Sequence, residues 1–332
     1  MKAIALLSGG LDSILATRLI KDQGIELEAV NFLTIFCNCT SRGKTCLAST
    51  SAAASLGVGL KVFEVTKEYI NIVKAPKHGY GRNLNPCLDC RIFIFRKAGE
   101  YMRQSGASFI VTGEVLGERP MSQRMDAMRI IEKESGLKGL IVRPLCAKLM
   151  EPTIPEKEGM IDREKLLNIQ GRSRKPQIQL ASELGIHDYP CPAGGCLLTD
   201  SGFAKKIKDL IKHDEFDLST VQLLKAGRYF RLSKEAKLVV GRQEGENELL
   251  GRLSQDNDYF FQPTHINGPS AIGRGVFNPD LIKLSCRIVA RYCDREDNSH
   301  ATISYRKPPL GAEEGSVSVS ALGEDELNKL RV

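Results

Sequence analysis

The sequence predicts an α/β fold in which a doubly wound parallel sheet is followed by a second, smaller α+β domain. Short apolar runs alternate with helical patterns over the first 145 residues, and a glycine turn directly follows the first run. After residue 200 the strands and helices are shorter and more closely spaced. We therefore expect a catalytic domain at residues 1–200, a small module at 217–310 and a flexible tail at 311–332.

The strands of the first domain are predicted from apolar runs bounded by turn residues. They cover residues 2–7, 28–32, 60–65, 109–112 and 140–142. Helical spacing of apolar residues predicts helices at residues 13–21, 47–56, 91–104 and 125–134. Ligands of such sheets bind beyond the carboxyl ends of the strands, so a site is expected in the loops that follow these strands.

The later segments are predicted with less regular structure. Residues 146–200 are rich in Pro, Gly and basic residues, which indicates a loop-rich extension, and residues 202–213 are predicted as a linking helix. The module is expected to contain strands at 237–240, 259–262 and 302–305 and helices at 247–253 and 280–293.

Composition and charge narrow the class of protein. The chain has 332 residues, of which 42% are apolar and 26% charged, as in ordinary globular proteins. No run of apolar residues is long enough to span a membrane and the N-terminus lacks a signal-peptide pattern, so a cytoplasmic location is expected. The net charge of +7 fits a polyanionic partner without requiring one.

A glycine turn between the first strand and the first helix predicts an anion site. It consists of Ser8, Gly9, Gly10, Leu11, Asp12 and Ser13. Glycines let backbone N–H groups face a phosphate, and the helix N-terminus adds partial positive charge. The loop contains no lysine, which excludes a kinase-type phosphate loop. The alternative interpretation is a tight turn with a serine cap.

The chain contains 10 cysteines, which in a reducing compartment favours metal ligands, redox groups or core residues over disulfides. Cys87 and Cys90 form a C-x-x-C pair expected in a loop before a helix, and Cys191 and Cys196 form a second pair. These thiols allow a structural zinc site, a [4Fe–4S] cluster with one open iron, or a metal-free persulfide pair.

The other cysteines are interpreted differently. Cys37, Cys39 and Cys46 follow the second strand and form either a second sulfur or metal site or a loop with accessible thiols. Cys286 and Cys293 share one helix face with apolar residues, so both are predicted to be core residues. Cys146 is assigned no role.

The Ser-Gly-Gly-x-Asp-Ser loop resembles the phosphate loop of the ATP-pyrophosphatase superfamily, which cleaves ATP between the α- and β-phosphates. The resemblance implies that the loop holds the pyrophosphate of ATP and that Asp12 assists Mg²⁺ or the reacting phosphate. It further implies that Asn31 and Phe32 lie beside adenine. Gly113, in a stretch similar to 4-thiouridine synthases, would let the nucleotide approach closely.

The two cysteine pairs resemble those of tRNA 2-thiouridylases. In cluster-dependent tRNA thiolases three cysteines hold a [4Fe–4S] cluster, and the match implies Cys87, Cys90 and Cys196 as the ligands, with Cys191 left over. The resemblance also implies catalytic roles for Asp12, Cys90 and Cys196. Basic residues near both pairs are interpreted as RNA-phosphate contacts or as a solvated face. They are Lys74, Lys77, His78, Arg82, Arg91, Arg172, Arg174 and Lys175.

The second module resembles the RNA-binding module of NFACT proteins over residues 220–306. If the resemblance holds, the phosphate contacts are Arg228, Arg231, Arg242 and Arg274. The alternative interpretation is a structural lid or dimer module.

These features together predict an ATP-dependent tRNA thiolase that adenylates a uridine carbonyl oxygen and replaces it with sulfur at position 2 or 4. The expected partners are tRNA and a sulfur donor, either sulfide or a persulfide carrier, and a homodimer is compatible with the sequence. No rhodanese-like or ferredoxin-like domain is expected before the loop, unlike typical 4-thiouridine synthases. The alternatives are another adenylating ligase with structural zinc, and an RNA-binding factor regulated by a nucleotide.

Overall fold

The computed structural model describes residues 1–37, 46–189, 196–294, 300–307 and 313–332. The chain divides into two compact units, Met1–Thr199 and Asp200–Val332. Among the described residues, no helix has both the length and the apolar character that a membrane crossing needs.

The first unit is built on a five-stranded sheet in which every strand pair is parallel. Its strands are β1 (Lys2–Leu6), β2 (Glu26–Leu33), β3 (Gly59–Glu64), β4 (Phe109–Thr112) and β5 (Ile141–Val142). The order β3-β2-β1-β4-β5 reverses direction between β1 and β4, which is where ligands bind in doubly wound sheets. The fold class predicted from the sequence is confirmed.

Helices cover both faces of this sheet. They are α1 (Leu11–Lys21), α2 (Cys46–Leu56), α3 (Thr66–Lys74), α4 (Cys87–Gln104), α5 (Met125–Ser135), α6 (Ile154–Lys157) and α7 (Lys175–Glu183). On one face Leu11 and Leu15 of α1 share a core with Ala181 of α7, and on the other Phe95 of α4 packs with Ile131 of α5. The sequence analysis did not predict α3, nor α7 in the supposedly loop-rich extension.

The second unit contains a six-stranded antiparallel sheet in the order β11-β10-β8-β9-β7-β6. The strands are β6 (Arg228–Arg231), β7 (Ala236–Val240), β8 (Tyr259–Pro263), β9 (Ala271–Gly275), β10 (Ala301–Lys307) and β11 (Glu313–Val319). The helices are α8 (Ser201–Lys212), α9 (Leu218–Leu224), α10 (Glu244–Leu253), α11 (Pro279–Ala290) and α12 (Glu324–Leu330). Cys286 and Cys293 belong to its core, as predicted.

Two expectations about this unit are wrong. The final segment, predicted as a flexible tail, forms β11 and α12 because Val319, Leu322 and Leu327 are buried in the core of the unit. The helix predicted as a linker, α8, belongs to the second unit and buries Phe203 and Ile207.

Candidate functional site

The phosphate loop is shaped by one glycine and leaves its helix N-terminus without a side-chain cap. Gly9 has φ +81°, and a Cβ there would lie 2.5 Å from the carbonyl carbon of Ala48, so only glycine fits. Gly10 precedes α1 and provides no side-chain cap for the first N–H groups of the helix. The Ser13 hydroxyl instead donates to the Gly10 carbonyl oxygen over 2.8 Å. The uncapped N–H groups are therefore available to an anion.

Asp12 lies in the first turn of α1 with one oxygen unsatisfied. Its Oδ1 is buried and has no hydrogen-bond partner among the described residues. Burial raises the pKa of Asp12, while Arg174 and Arg119 oppose the shift. Burial also raises the pKa of Glu118, and the charge of Asp12 adds to this shift. Two carboxyl groups and two guanidinium groups thus surround the start of α1.

The other predicted nucleotide-binding residues sit at carboxyl ends of strands. Gly113 directly follows β4, and a Cβ there would lie 2.4 Å from the carbonyl carbon of Asp12. The β4 end therefore touches the start of α1. Asn31 and Phe32 are half-buried near the end of β2, where the ring of Phe32 stacks on Phe63 with centroids 5.3 Å apart.

The C-x-x-C pair lies within a helix, not in the loop before it as the sequence suggested. Cys87 is the first residue of α4 and Cys90 is in its first turn. Burial raises the pKa of Cys90 to about 11, while the Tyr69 hydroxyl, which hydrogen-bonds to this thiol, opposes the shift. Tyr69 is itself buried, and its ring packs against Phe36 and Phe93.

Backbone hydrogen bonds bring Cys196 beside two distant segments. Cys196 immediately precedes the 3-10 helix Leu197–Thr199. The Leu197 N–H donates to the Phe36 carbonyl oxygen over 2.9 Å, and the Leu84 N–H donates to the Leu198 carbonyl oxygen over 3.2 Å. The segment after β2 and the segment before α4 are thereby both tied to the residues that follow Cys196.

The result is a group of four interacting thiols, Cys37, Cys87, Cys90 and Cys196. Burial raises the pKa of Cys196, and the negative charges of Cys90, Cys37 and Cys87 raise it further. Cys37 was only one of several options in the sequence analysis. Cys39 and Cys191 lie outside the described residues, as does the side chain of Cys46, the first residue of α2.

The donor atoms of the thiol group are all sulfur. Among the described residues, no three His, Cys, Asp or Glu side chains are grouped as for one metal ion. A polynuclear iron–sulfur group is held by thiolates bound to different irons, and a thiol-only donor set fits its chemistry.

Arg119 connects the thiols with the phosphate loop. Its charge lowers the pKa of Asp12 and also that of Cys87, against the effect of burial in both cases. Arg91 acts on Cys87 in the same way. The carboxyl at the start of α1 and the thiol at the start of α4 are therefore within electrostatic reach of one guanidinium.

Glu114 organises this edge of the sheet and was not singled out from the sequence. Its carboxylate is buried and accepts from Arg91 Nε over 2.9 Å and from Arg143 Nε over 3.0 Å. Arg143 also pairs with Glu132 of α5. The signal in the sequence was an acidic residue two positions after a buried strand, together with Arg143 directly after the next strand.

Two of the four arginines predicted to contact RNA form ion pairs with carboxylates of the second unit. Arg231 pairs with Asp209 and Glu215, and Arg274 pairs with Asp258 over 2.7 Å. Both side chains are largely buried by these partners, so the prediction of phosphate contacts is wrong for them. The half-buried Arg228 lies over the ring of Tyr292 at 4.2 Å, and Arg242 is exposed.

Two family models and several known proteins are similar to this chain. Residues 1–154 match the family model of thiamine biosynthesis protein (ThiI), and residues 227–331 match the NFACT protein RNA binding domain. A tRNA-specific 2-thiouridylase MnmA of Marinobacter nauticus is 23% identical over 91% of this chain and 81% of its own. A probable tRNA sulfurtransferase of Ureaplasma parvum is 31% identical over 44% of this chain and 37% of its own.

Other relatives are matched over less of their length. The chain spans about a third of the next curated relatives, such as the MnmA of Pelobacter propionicus, 26% identical over 34% of this chain and 33% of that one. A solved 4-thiouridine synthetase–RNA complex with bound ATP shares 22% identity over 56% of this chain and 51% of its own, at a TM-score of 0.36. No conclusion rests on so loose a superposition. The chain therefore combines a region similar to thiamine biosynthesis protein (ThiI) with a region similar to the NFACT protein RNA binding domain.

Proposed function

We propose that the chain is an ATP-dependent tRNA sulfurtransferase, which replaces a carbonyl oxygen of uridine with sulfur at position 2 or 4. The observation that carries the proposal is that two consecutive residues after β4 contact both sites. Gly113 lies against the backbone of Asp12 at the phosphate loop, and Glu114 pairs over 2.8 Å with Arg91 of the helix that carries Cys87 and Cys90. An activating site and a sulfur site next to each other suit a two-step reaction on one base. The names of the similar proteins support tRNA as the substrate.

The phosphate loop is the proposed nucleotide site. Residues 8–13 bind the phosphates of ATP through the uncapped start of α1, and Asn31, Phe32 and Gly113 line the rest of the nucleotide. Mg²⁺ typically takes one or two carboxylates together with substrate phosphates, and Asp12 with Glu118 fits this donor set. The unsatisfied Oδ1 of Asp12 is the atom that such an ion would engage.

In the first step the uridine carbonyl oxygen attacks the α-phosphorus. A new P–O bond forms, the bond to the β-phosphate bridging oxygen breaks, and pyrophosphate leaves. The base is then O-adenylated. In the second step sulfur attacks the same ring carbon, the C–O bond breaks, and AMP leaves with the former carbonyl oxygen. Arg119 lies where it can balance negative charge during both steps.

Cys87, Cys90 and Cys196 are the proposed ligands of a [4Fe–4S] cluster. When bound, such a cluster would supply an iron with an open coordination position. The chain contributes a Tyr69 hydroxyl that hydrogen-bonds to the Cys90 thiol and two arginines, Arg91 and Arg119, that offset the negative charge of Cys87. Cys90 and Cys196 remain the proposed sulfur-bearing residues in a metal-free version of the reaction.

The test is a thiolation assay on protein purified without oxygen. With tRNA, ATP, Mg²⁺ and sulfide, we expect 2- or 4-thiouridine in the digested RNA by mass spectrometry, and no thiouridine with Asp12→Ala. RNA binding that survives Asp12→Ala, with no thiolated product from wild type, would instead support a regulated RNA-binding factor. Stoichiometric zinc without sulfide, and no thiouridine, would support a ligase.

A further inference from the structure

Unsatisfied polar atoms are concentrated beside the phosphate loop. Six buried side-chain nitrogen and oxygen atoms of the described residues have no hydrogen-bond partner, and four of them belong to Asp12, Arg174 and Gln177. They are Asp12 Oδ1, Arg174 Nε and both amide atoms of Gln177. A buried polar group without a partner is destabilising, so such a concentration indicates a ligand.

The elements that carry these side chains are fixed against each other. Gln177 is completely buried in the first turns of α7, a helix of nine residues. Ala181 of α7 shares a core with Leu11 and Leu15 of α1. The segment before α7 is tied to the loop after β4 by the Gly171 N–H, which donates to the Leu116 carbonyl oxygen over 2.7 Å. The helix α7 is thereby packed beside the helix that carries Asp12.

Contacts with Asp12 show where the two side chains lie. Arg174 and Gln177 both act on the carboxyl of Asp12, which sits at the start of α1. The Gln177 side chain is close enough to the Asp12 carboxyl to lower its pKa, but neither amide atom of Gln177 nor Asp12 Oδ1 makes a well-formed hydrogen bond with a described residue. One acidic and two donor side chains therefore lie close together where α7 packs on α1.

We infer that Arg174 and Gln177 bind the pyrophosphate part of ATP on the side of the phosphate site opposite the phosphate loop. The Arg174 Nε–H and the Gln177 Nε2 amide donate to phosphate oxygens, and the Gln177 Oε1 accepts from water held by Mg²⁺, which normally keeps several waters. The inference rests on the proposed ATP site and adds residues that hold the leaving pyrophosphate. Arg174 is thus assigned to the nucleotide, whereas the sequence placed it among basic residues for RNA.

The thermal midpoint of the ligand-free protein distinguishes a ligand-binding role of Gln177 from a structural role. Gln177→Met removes the amide and keeps an unbranched side chain of similar length. Because the amide makes no well-formed hydrogen bond with a described residue, we expect the thermal midpoint of the ligand-free variant to equal or exceed that of wild type. A glutamine that held the fold together would lower the midpoint when replaced.

The experiment is calorimetric titration of the full chain with inorganic pyrophosphate and Mg²⁺, and separately with AMP. We expect Arg174→Gln and Gln177→Met each to weaken pyrophosphate binding by roughly tenfold or more and to leave AMP binding nearly unchanged. Gln179→Met is the control, because Gln179 is exposed on the same helix and bonds to Glu183.

The outcomes separate the inference from the function on which it rests. Unchanged pyrophosphate affinity in both variants would overturn the inference while leaving the ATP site intact. Equal losses for AMP and pyrophosphate, or a lowered thermal midpoint of Gln177→Met, would also overturn it. Wild-type protein that binds neither ligand would contradict the proposed function itself.

Discussion

Glu114 and Arg143 form an ion pair that is hidden from solvent, with side-chain exposures of 0% and 2% and a distance of 3.0 Å between Nε and Oε2. Glu114 follows β4 and Arg143 follows β5, so the pair joins two neighbouring strand ends. Arg91 Nη2 of α4 also lies 2.8 Å from Glu114 Oε1. One carboxylate thus fixes the helix that carries Cys87 and Cys90 to the edge of the sheet where the phosphate loop begins.

Removing the charge of Glu114 should destabilise the protein strongly. Glu114→Gln removes the carboxylate that pairs with Arg91 and leaves the buried Arg143 with Glu132 as its remaining counter-charge, and we expect a loss of about 3–5 kcal/mol in unfolding free energy. Urea unfolding measures it. Glu164→Gln is the control: Glu164 is 86% exposed in its pair with Lys148, and the expected change is below about 1 kcal/mol. Equal effects would refute the role given to Glu114.

The contribution of Glu114 to the unfolding free energy should decrease as the pH falls. Burial alone would raise the pKa of Glu114, but Arg91 and Arg143 more than offset it, so the pKa lies below the ordinary value of 4.5. A carboxyl with a lowered pKa stabilises the fold above its unfolded pKa and loses this contribution as pH falls through its folded pKa. The stability difference between wild type and Glu114→Gln should therefore be constant near neutral pH and shrink below pH 4.5. A difference that grows on acidification would contradict the assignment.

Gly113 should tolerate no side chain. The Cβ of Gly113→Ala would lie 2.4 Å from the carbonyl carbon of Asp12, so the β4 end and the start of α1 must separate. We expect reduced stability and loss of ATP binding, measured by thermal unfolding and calorimetry. Gly251→Ala is the matched control because nothing lies within 4 Å of its Cβ position in α10. Alanine there should stabilise the protein by about 0.5–1 kcal/mol. Nucleotide binding that survives Gly113→Ala would contradict the geometry of the site.

The cysteine variants should separate sulfur chemistry from nucleotide binding. Cys87→Ala, Cys90→Ala and Cys196→Ala should each abolish thiouridine formation and leave ATP binding intact, because the thiols lie outside the phosphate loop. Cys146→Ser should keep both activities, since Cys146 is buried and its thiol donates to the Glu114 carbonyl oxygen. Iron and acid-labile sulfide should fall in the first three variants alone. Thiolation retained in all three would exclude these residues as the sulfur site.

Cys37 should matter as much as the three predicted ligands. Its Sγ accepts from the Thr34 N–H over 3.3 Å and interacts with Cys90 and Cys196. We expect Cys37→Ala to lower thiouridine formation at least roughly tenfold, as for a group in contact with the reacting atoms. ATP binding, measured in parallel, should not change. Full thiolation by this variant would place Cys37 outside the reaction.

In the first unit, the elements that could be predicted from the sequence are those that a local residue pattern specifies. Apolar runs such as β4 and the glycine turn before α1 specify a buried strand and a phosphate loop locally. The helix α3 was missed because only Tyr69, Ile70 and Val73 are apolar on its buried face. Strand β11 was missed because glutamate, glycine and serine dominate it, and only its alternating valines indicate a strand.

The site depends on contacts that no local pattern specifies. Cys37 joins Cys196 because the Leu197 N–H bonds to the Phe36 carbonyl oxygen, a pairing between segments far apart in the chain. Arg231 and Arg274 were misassigned because their carboxylate partners lie on other elements of the second unit. Residue type indicates what a side chain can do, and tertiary contacts decide whether it is available.

The most direct test of the proposed reaction follows the oxygen atom. We would run the thiolation reaction in ¹⁸O-labelled water and measure the label in AMP and the thiouridine in the RNA. If the uridine oxygen attacks the α-phosphorus, AMP forms in equal amount to thiouridine and contains no oxygen from water. AMP that carries ¹⁸O and accumulates without thiouridine would show that water is the nucleophile, and this would contradict adenylation of the base.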